Sequence, residues 1–130
     1  MGYRRWLDWL EESRDDLEAA ETLLKDGRYS KACFLSQQAA EKAVKALIIH
    51  RLKIFETIHS VAELLRKINA PEEMIQLGVE LDRHYIPSRY PNAWPSGAPS
   101  KMYRKADAES ALNTAKKVLE YVKGEIEPGH

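Results

Sequence analysis

A chain of 130 residues can bury one substantial core but not two. Its 44% hydrophobic and 31% charged residues make a globular composition, and 20 Lys and Arg balance 20 Asp and Glu, so the overall field gives no bias toward nucleic acid or an anionic membrane. The single cysteine, Cys33, excludes an internal disulfide framework and fits a reducing cytoplasm, and no apolar run approaches the length that crosses a bilayer. The N-terminal MGYRRWLDWLEE turns acidic too soon for a secretion signal.

Helical periodicity runs through almost the whole chain. Trp6, Leu10, Leu17, Ala20 and Leu24 recur at steps of three and four, which predicts a helix over 3–26, ended by Asp26-Gly27. A second helix, about 28–52, carries Ala32, Leu35, Ala39, Ala43 and Leu47 on one side, widened by Ala40 and Val44. Small residues let neighbouring backbones approach, so this is the expected central helix of a bundle. A third helix starts near His59, with Ser60 and Glu63 in capping-box spacing before Val61, Leu64, Leu65 and Ile68. Pro71 suits the first turn of a fourth, with Glu72 and Glu73 at its positive end. Met74, Leu77, Leu81 and Tyr85 continue it until Pro87 and Pro91. The last helix has Asp107 as its expected N-cap, with Ala106 or Lys105 as alternative lead-ins, and Ala111, Leu112, Ala115, Val118, Leu119 and Val122 as its stripe, with Gly124 as its stop. No strand pattern and no repeat interrupts this. The expected architecture is all-α: an up-and-down bundle of four long helices plus a short one, in a single domain over 1–130. A basic, aromatic loop at about 86–105 and a frayed tail at 124–130 complete it.

Most catalytic chemistries leave no trace. His50, His59, His84 and His130 are not three or four apart, and no carboxylate-x-x-His pair falls on an inner face, so no metal site is expected. Glycine-rich phosphate loops and the G-x-S-x-G turn are absent, and no cofactor is implied. Cys33 reads as a small buried apolar residue.

Two features remain. In FLSQQAAEKAVKAL (34–47), Gln38, Lys42 and Lys45 line one polar strip and Gln37, Glu41 and Lys45 another. The strips read as a solvated helix face with a favourable Glu41–Lys45 pair, or as a surface for phosphates or a second subunit. The second feature is DRHYIPSRYPNAWPSGAPSKMYRK (82–105). It has four of the six prolines, and Tyr85, Tyr90, Trp94 and Tyr103. From Arg83 to Ala106 there is no acid, against five cations. Arginine pairs with phosphate and aromatic faces stack on bases, so this is a candidate nucleotide or single-stranded nucleic-acid surface. The same aromatics and prolines would serve to pack a stiff loop onto the bundle.

Taken with SRDDLEAAETLLKDGRYSKACFLSQQAAEKAVKAL, YIPSRYPN and KADAESALNTAKKVL, the chain resembles the HEPN domains, over roughly 10–122. The resemblance implies a helical bundle, a homodimer, and a role in nucleotide or RNA transactions. It also implies a partner, a minimal nucleotidyltransferase, in a toxin–antitoxin-like module. Some HEPN proteins are metal-independent ribonucleases with an R-x(4–6)-H motif. Here no Arg precedes a His at that spacing: Arg51 and His59 have seven residues between them, and His84 directly follows Arg83. The expectation is therefore a non-catalytic, cytoplasmic protein without a membrane segment. Arg83, Arg89, Tyr90 and Asn92 are the candidate phosphate or base contacts, with Lys42 and Lys45 behind them. The alternatives are a ribonuclease using His84 with Arg83 or Arg89, and a structural dimerisation module.

Overall fold

The computed structural model describes residues 4–127. The expected helix start at residue 3 and the tail beyond 127 lie outside them. The described residues form an all-α bundle without strands: α1 (Arg5–Lys25), α2 (Tyr29–Leu52), α3 (Val61–Lys67), α4 (Glu72–Asp82), α5 (Pro99–Met102) and α6 (Lys105–Ile126). The three helices longer than twenty residues, α1, α2 and α6, pack along one another, and the α3–α4 hairpin closes against α2 and α6.

α2 is the central helix because nearly every side of it is covered. Ala32, Ala39, Ala40, Ala43, Val44, Ala46, Leu47 and Ile48 are all fully buried. Its alanines bring α1 close enough for the Ser13 hydroxyl to donate to the Ala39 carbonyl at 2.6 Å. The α1–α2 turn uses Gly27 at φ +77°, a left-handed conformation that costs other residues a clash at Cβ.

The α3–α4 hairpin is built by close backbone approach. A Cβ on Gly78 would lie 2.8 Å from the Ala62 nitrogen, so only glycine lets the two helices meet there. Ser60 caps α3 as its spacing predicts, accepting from the Glu63 N–H at 3.1 Å. Pro71 stands at the N-cap of α4 and Glu72 begins the helix. The fourth helix stops at Asp82, short of Tyr85, and residues 83–89 continue as hydrogen-bonded turns. Pro87 limits how far the helix could run: it has no N–H for the Arg83 carbonyl, and helical geometry is disfavoured in the residue before a proline.

The segment 86–105 is not an open loop. A 3₁₀ turn at Pro91–Ala93 and the short α5 punctuate it. The Trp94 indole donates to the Pro87 carbonyl at 2.8 Å and meets Tyr103 edge to face, with ring centres 5.9 Å apart. Two expectations about α6 are corrected. Its N-cap is Arg104, and Asp107 lies in the first turn, its carboxylate accepting the Arg104 N–H at 2.8 Å. Gly124 does not stop the helix, which runs on to Ile126 because that side chain buries against the core.

Candidate functional site

The α2 strip is the starting point. Gln37, Glu41 and Lys45 are four residues apart and share one face of the helix. The expectation of a solvated face is wrong for these three: Gln37 is fully buried, and Glu41 and Lys45 are 3% and 4% exposed. Buried charge needs partners, and each has them. The Lys45 ammonium sits 2.9 Å from Glu41 Oε2 and over the Trp9 ring at 5.6 Å. Gln38 donates to Glu41 Oε1 at 3.2 Å and to Gln37 Oε1 at 2.8 Å.

This network reaches the surface where α2, α3 and α4 meet. Gln37 Nε2 donates to the His59 carbonyl at 2.9 Å and to Asp82 Oδ1 at 3.2 Å. Asp82, at the end of α4, also accepts from the Ser60 hydroxyl at 2.8 Å and from the N–H groups of Val61 and Ala62 at 2.8 and 3.1 Å. A carboxylate on the first N–H groups of α3 is in the favourable place for the helix dipole. One acid thereby ties three helices together.

His59 precedes this cap. Its Nδ1 lies 3.1 Å from Glu41 Oε2, yet its side chain is 57% exposed. Tyr85 stacks on it nearly parallel, with ring centres 5.3 Å apart. Arg89 lies behind Tyr85, its guanidinium carbon 4.5 Å from that ring centre, 4.4 Å from Phe34 and 4.9 Å from Tyr90. Arg89 Nε donates to the Tyr85 carbonyl at 2.8 Å. His59, Ser60, Asp82, Tyr85, Ile86 and Pro87 line a groove of about 280 Å³. In the tautomer that donates from Nδ1 to Glu41, His59 presents the Nε2 lone pair outward, oriented by a buried carboxylate. That group can accept a proton from a ligand, or donate one when charged. Beside it are an aromatic face and exposed apolar surface from Ile86.

The residues singled out from sequence separate into three groups. Arg89 and Tyr90 come together behind Tyr85 without lining the groove, with Tyr90 half exposed and Asn92 exposed on the following 3₁₀ turn. Lys45 is enclosed with Glu41, and Lys42 bonds to Asp16 at 2.8 Å with Glu12 at 3.9 Å, so both are engaged with acids rather than offered to a phosphate. Arg83 and His84 line a different, smaller hollow with Glu80, Asp107 and Ser110. There His84 Nδ1 meets the Tyr103 hydroxyl at 3.2 Å, and Ser88 bonds to the His84 carbonyl. Burial pushes the His84 imidazole below its ordinary range; Asp107 opposes this and Arg83 adds to it. His84 is thus a packed residue of the 82–105 segment. Burial, helped by Asp107, likewise pushes the Cys33 thiol up to about 12 and leaves it inert. Among the described residues one carboxylate trio clusters, Glu12, Asp15 and Asp16 on α1, and Lys42 already neutralises Asp16.

Sequence reading puts Glu41 in the α2 strip and Tyr85 in the 82–105 surface, and does not join them with His59 and Asp82. They are far apart in the chain, and each has an ordinary local reading. The available signal was a polar stripe at 37, 41 and 45 flanked by alanines on both sides, since a central helix has little solvated face to spare.

The HEPN domain family matches residues 6–125 of the chain. The chain belongs to that family. It is 34% identical over 128 residues to the Methanocaldococcus jannaschii protein named "Putative toxin MJ1304", covering 88% of this chain and 84% of that protein. The crystal structure of TT1696 from Thermus thermophilus superposes with a TM-score of 0.89 at 39% identity, covering 93% of this chain and 98% of that one. ST0689, an archaeal HEPN homologue, gives a TM-score of 0.81 at 43% identity, covering 94% and 98%.

Proposed function

We propose that this HEPN protein is the toxin-like component of a two-protein, cytoplasmic module and acts by binding a nucleotide or RNA at the His59–Tyr85 groove. The observation that carries this reading is the buried Glu41 carboxylate on an exposed imidazole, set beside Tyr85 with Arg89 and Tyr90 behind it. His59 faces a phosphate or ribose hydroxyl, and the half-exposed Tyr90 ring, with Arg89 on it, stacks on a base. The name of the M. jannaschii relative supports the toxin-like role. A small nucleotidyltransferase is the partner that the family resemblance implies, with the HEPN protein itself as a homodimer. No described helix is long and apolar enough to cross a membrane.

The test is calorimetry with ATP and with a short single-stranded RNA, using nucleotide-free protein. Loss of one stacked base is worth about 1–3 kcal/mol, so Tyr90→Ala should weaken binding roughly tenfold, with a similar loss for His59→Ala. Absence of binding by the wild type sinks the groove reading. Absence of any protein partner in a pull-down sinks the module.

The Glu41–His59 pair also favours a second reading, metal-independent cleavage of RNA with His59 as the proton acceptor. That moves the ribonuclease alternative from His84, which is packed against Tyr103, to His59. Cleavage of labelled RNA in chelator that survives His84→Gln and disappears in His59→Ala would support it, and intact RNA would remove it.

A further inference from the structure

Another groove, with about 410 Å³ of space, lies between α1 and α6. Leu10, Leu17 and Leu119 form its floor. Arg14, Lys116 and Lys123 stand on its rim with Glu120 as the one acid, a local excess of positive charge in a chain of zero net charge. Among the described residues, one ion pair engages these cations, joining Lys116 to Glu21 at 3.5 Å with both side chains about 40% exposed, a weak interaction in water. A second hollow of about 310 Å³ shares Glu120 and Lys123 and continues past Gly124 to Glu127.

Gly124 is the independent observation. It is helical, its φ is not left-handed, and a Cβ there would meet nothing within 4 Å. The fold itself does not require a glycine there, and a helical glycine is less stable than alanine. Its effect is to leave bare backbone beside the hollow, where another chain can approach closely.

We propose that the α1–α6 groove seats an amphipathic helix of a partner protein, with aliphatic residues on one face and Asp or Glu on its flanks. The stretch of α6 from Lys116 to Ile126 is roughly 15 Å long, nearly three turns of such a helix. Aliphatic side chains enter over Leu17 and Leu119, and the acids meet Arg14, Lys116 and Lys123. The chain's own acidic helix, α1, is a poor occupant in a second copy, because Leu10 and Ala20 are already buried in its own core and Leu7 is its one exposed leucine. The groove does not share a lining residue with the His59 site, so this inference stands apart from the nucleotide reading.

The probe is a fluorescein-labelled, lactam-closed helical peptide of about 14 residues, Leu at alternating three- and four-residue steps and Glu on the flanks, mixed with the full-length protein. Fluorescence anisotropy should show binding, and amide shifts should fall on α1 and α6. Lys116→Glu with Lys123→Glu should weaken the acidic peptide about tenfold and favour a Lys-flanked control. Gly124→Gln should also weaken binding, whereas His59→Ala should leave it unchanged. Unchanged melting temperatures keep these comparisons valid. Equal binding of the acidic and basic peptides overturns the proposal, as do shifts away from α1 and α6 or no binding up to about 1 mM. Sedimentation that shows a dimer abolished by the double charge reversal also overturns it, by making a second copy the occupant.

Discussion

The α1–α2–α6 bundle and the segment from His59 to Tyr103 are held by different physics. The bundle rests mainly on many small contacts, with alanines on α2 against leucines and valines on α1 and α6, around the buried Gln37–Glu41–Lys45 strip. The other region rests on a few irreplaceable ones: Asp82 on the first turn of α3, Gly78 against Ala62, Arg89 among three rings, and Trp94 on the Pro87 carbonyl. Distributed burial tolerates exchange and makes a scaffold. Sparse polar and steric locks fix side chains at defined positions, which a site requires. The candidate groove lies on the second region, with the first supplying Glu41 as its buried support.

The largest expected effect tests the principal lock. Asp82→Ala removes bonds from Ser60, Val61, Ala62 and Gln37, and should cost about 3 kcal/mol in urea unfolding, since hydrogen bonds to a charged group are the strong ones. Hydrogen exchange should accelerate in α3 and α4 before α2 and α6. Uniform acceleration would mean that the two regions are one cooperative unit.

Gly78→Ala should cost about 2 kcal/mol, because the added methyl meets backbone that cannot swing aside. A neutral result would show that α3 and α4 slide apart easily.

A smaller effect separates the regions by pH. The folded His84 imidazole titrates below its unfolded value, so its contribution is present above about pH 6.5 and is lost as pH falls through the folded value. His84→Gln should therefore flatten part of the acid limb of the stability curve. An unchanged limb would assign that slope to other groups.

The smallest effect lies in the bundle and has the opposite sign. Gly124→Ala adds a methyl in open space and should stabilise α6 by about 0.5 kcal/mol, read as a small rise in melting temperature. A loss of stability would mean that the glycine serves the fold of the isolated chain.

Much of the helical order was legible because periodicity is a local property. The stripes of α1, α2 and α6 and the Ser60 cap follow from residues within a turn or two of one another. Ends set by longer-range forces were less so. Pro87 bounds the fourth helix in the sequence, but nothing local marks Asp82, whose carboxylate accepts from α3, as its last residue. Asp107 reads as an N-cap by residue type, yet it acts from inside the first turn.

The candidate site was the least legible part. Arg89 and Tyr90 stood out by composition, and they meet each other behind Tyr85, outside the groove's lining. Lys42 and Lys45 have the same charge in sequence, and only packing consumed both in pairs with acids. His59 is unremarkable in the string, because the groups that give it a role, Glu41 and Tyr85, lie 18 and 26 residues away. The sequence by itself determined an all-α bundle, a central alanine-rich helix and a family. Only the tertiary structure decided which polar residues are buried and which histidine faces a groove, because burial and pairing depend on neighbours that the linear order does not bring together.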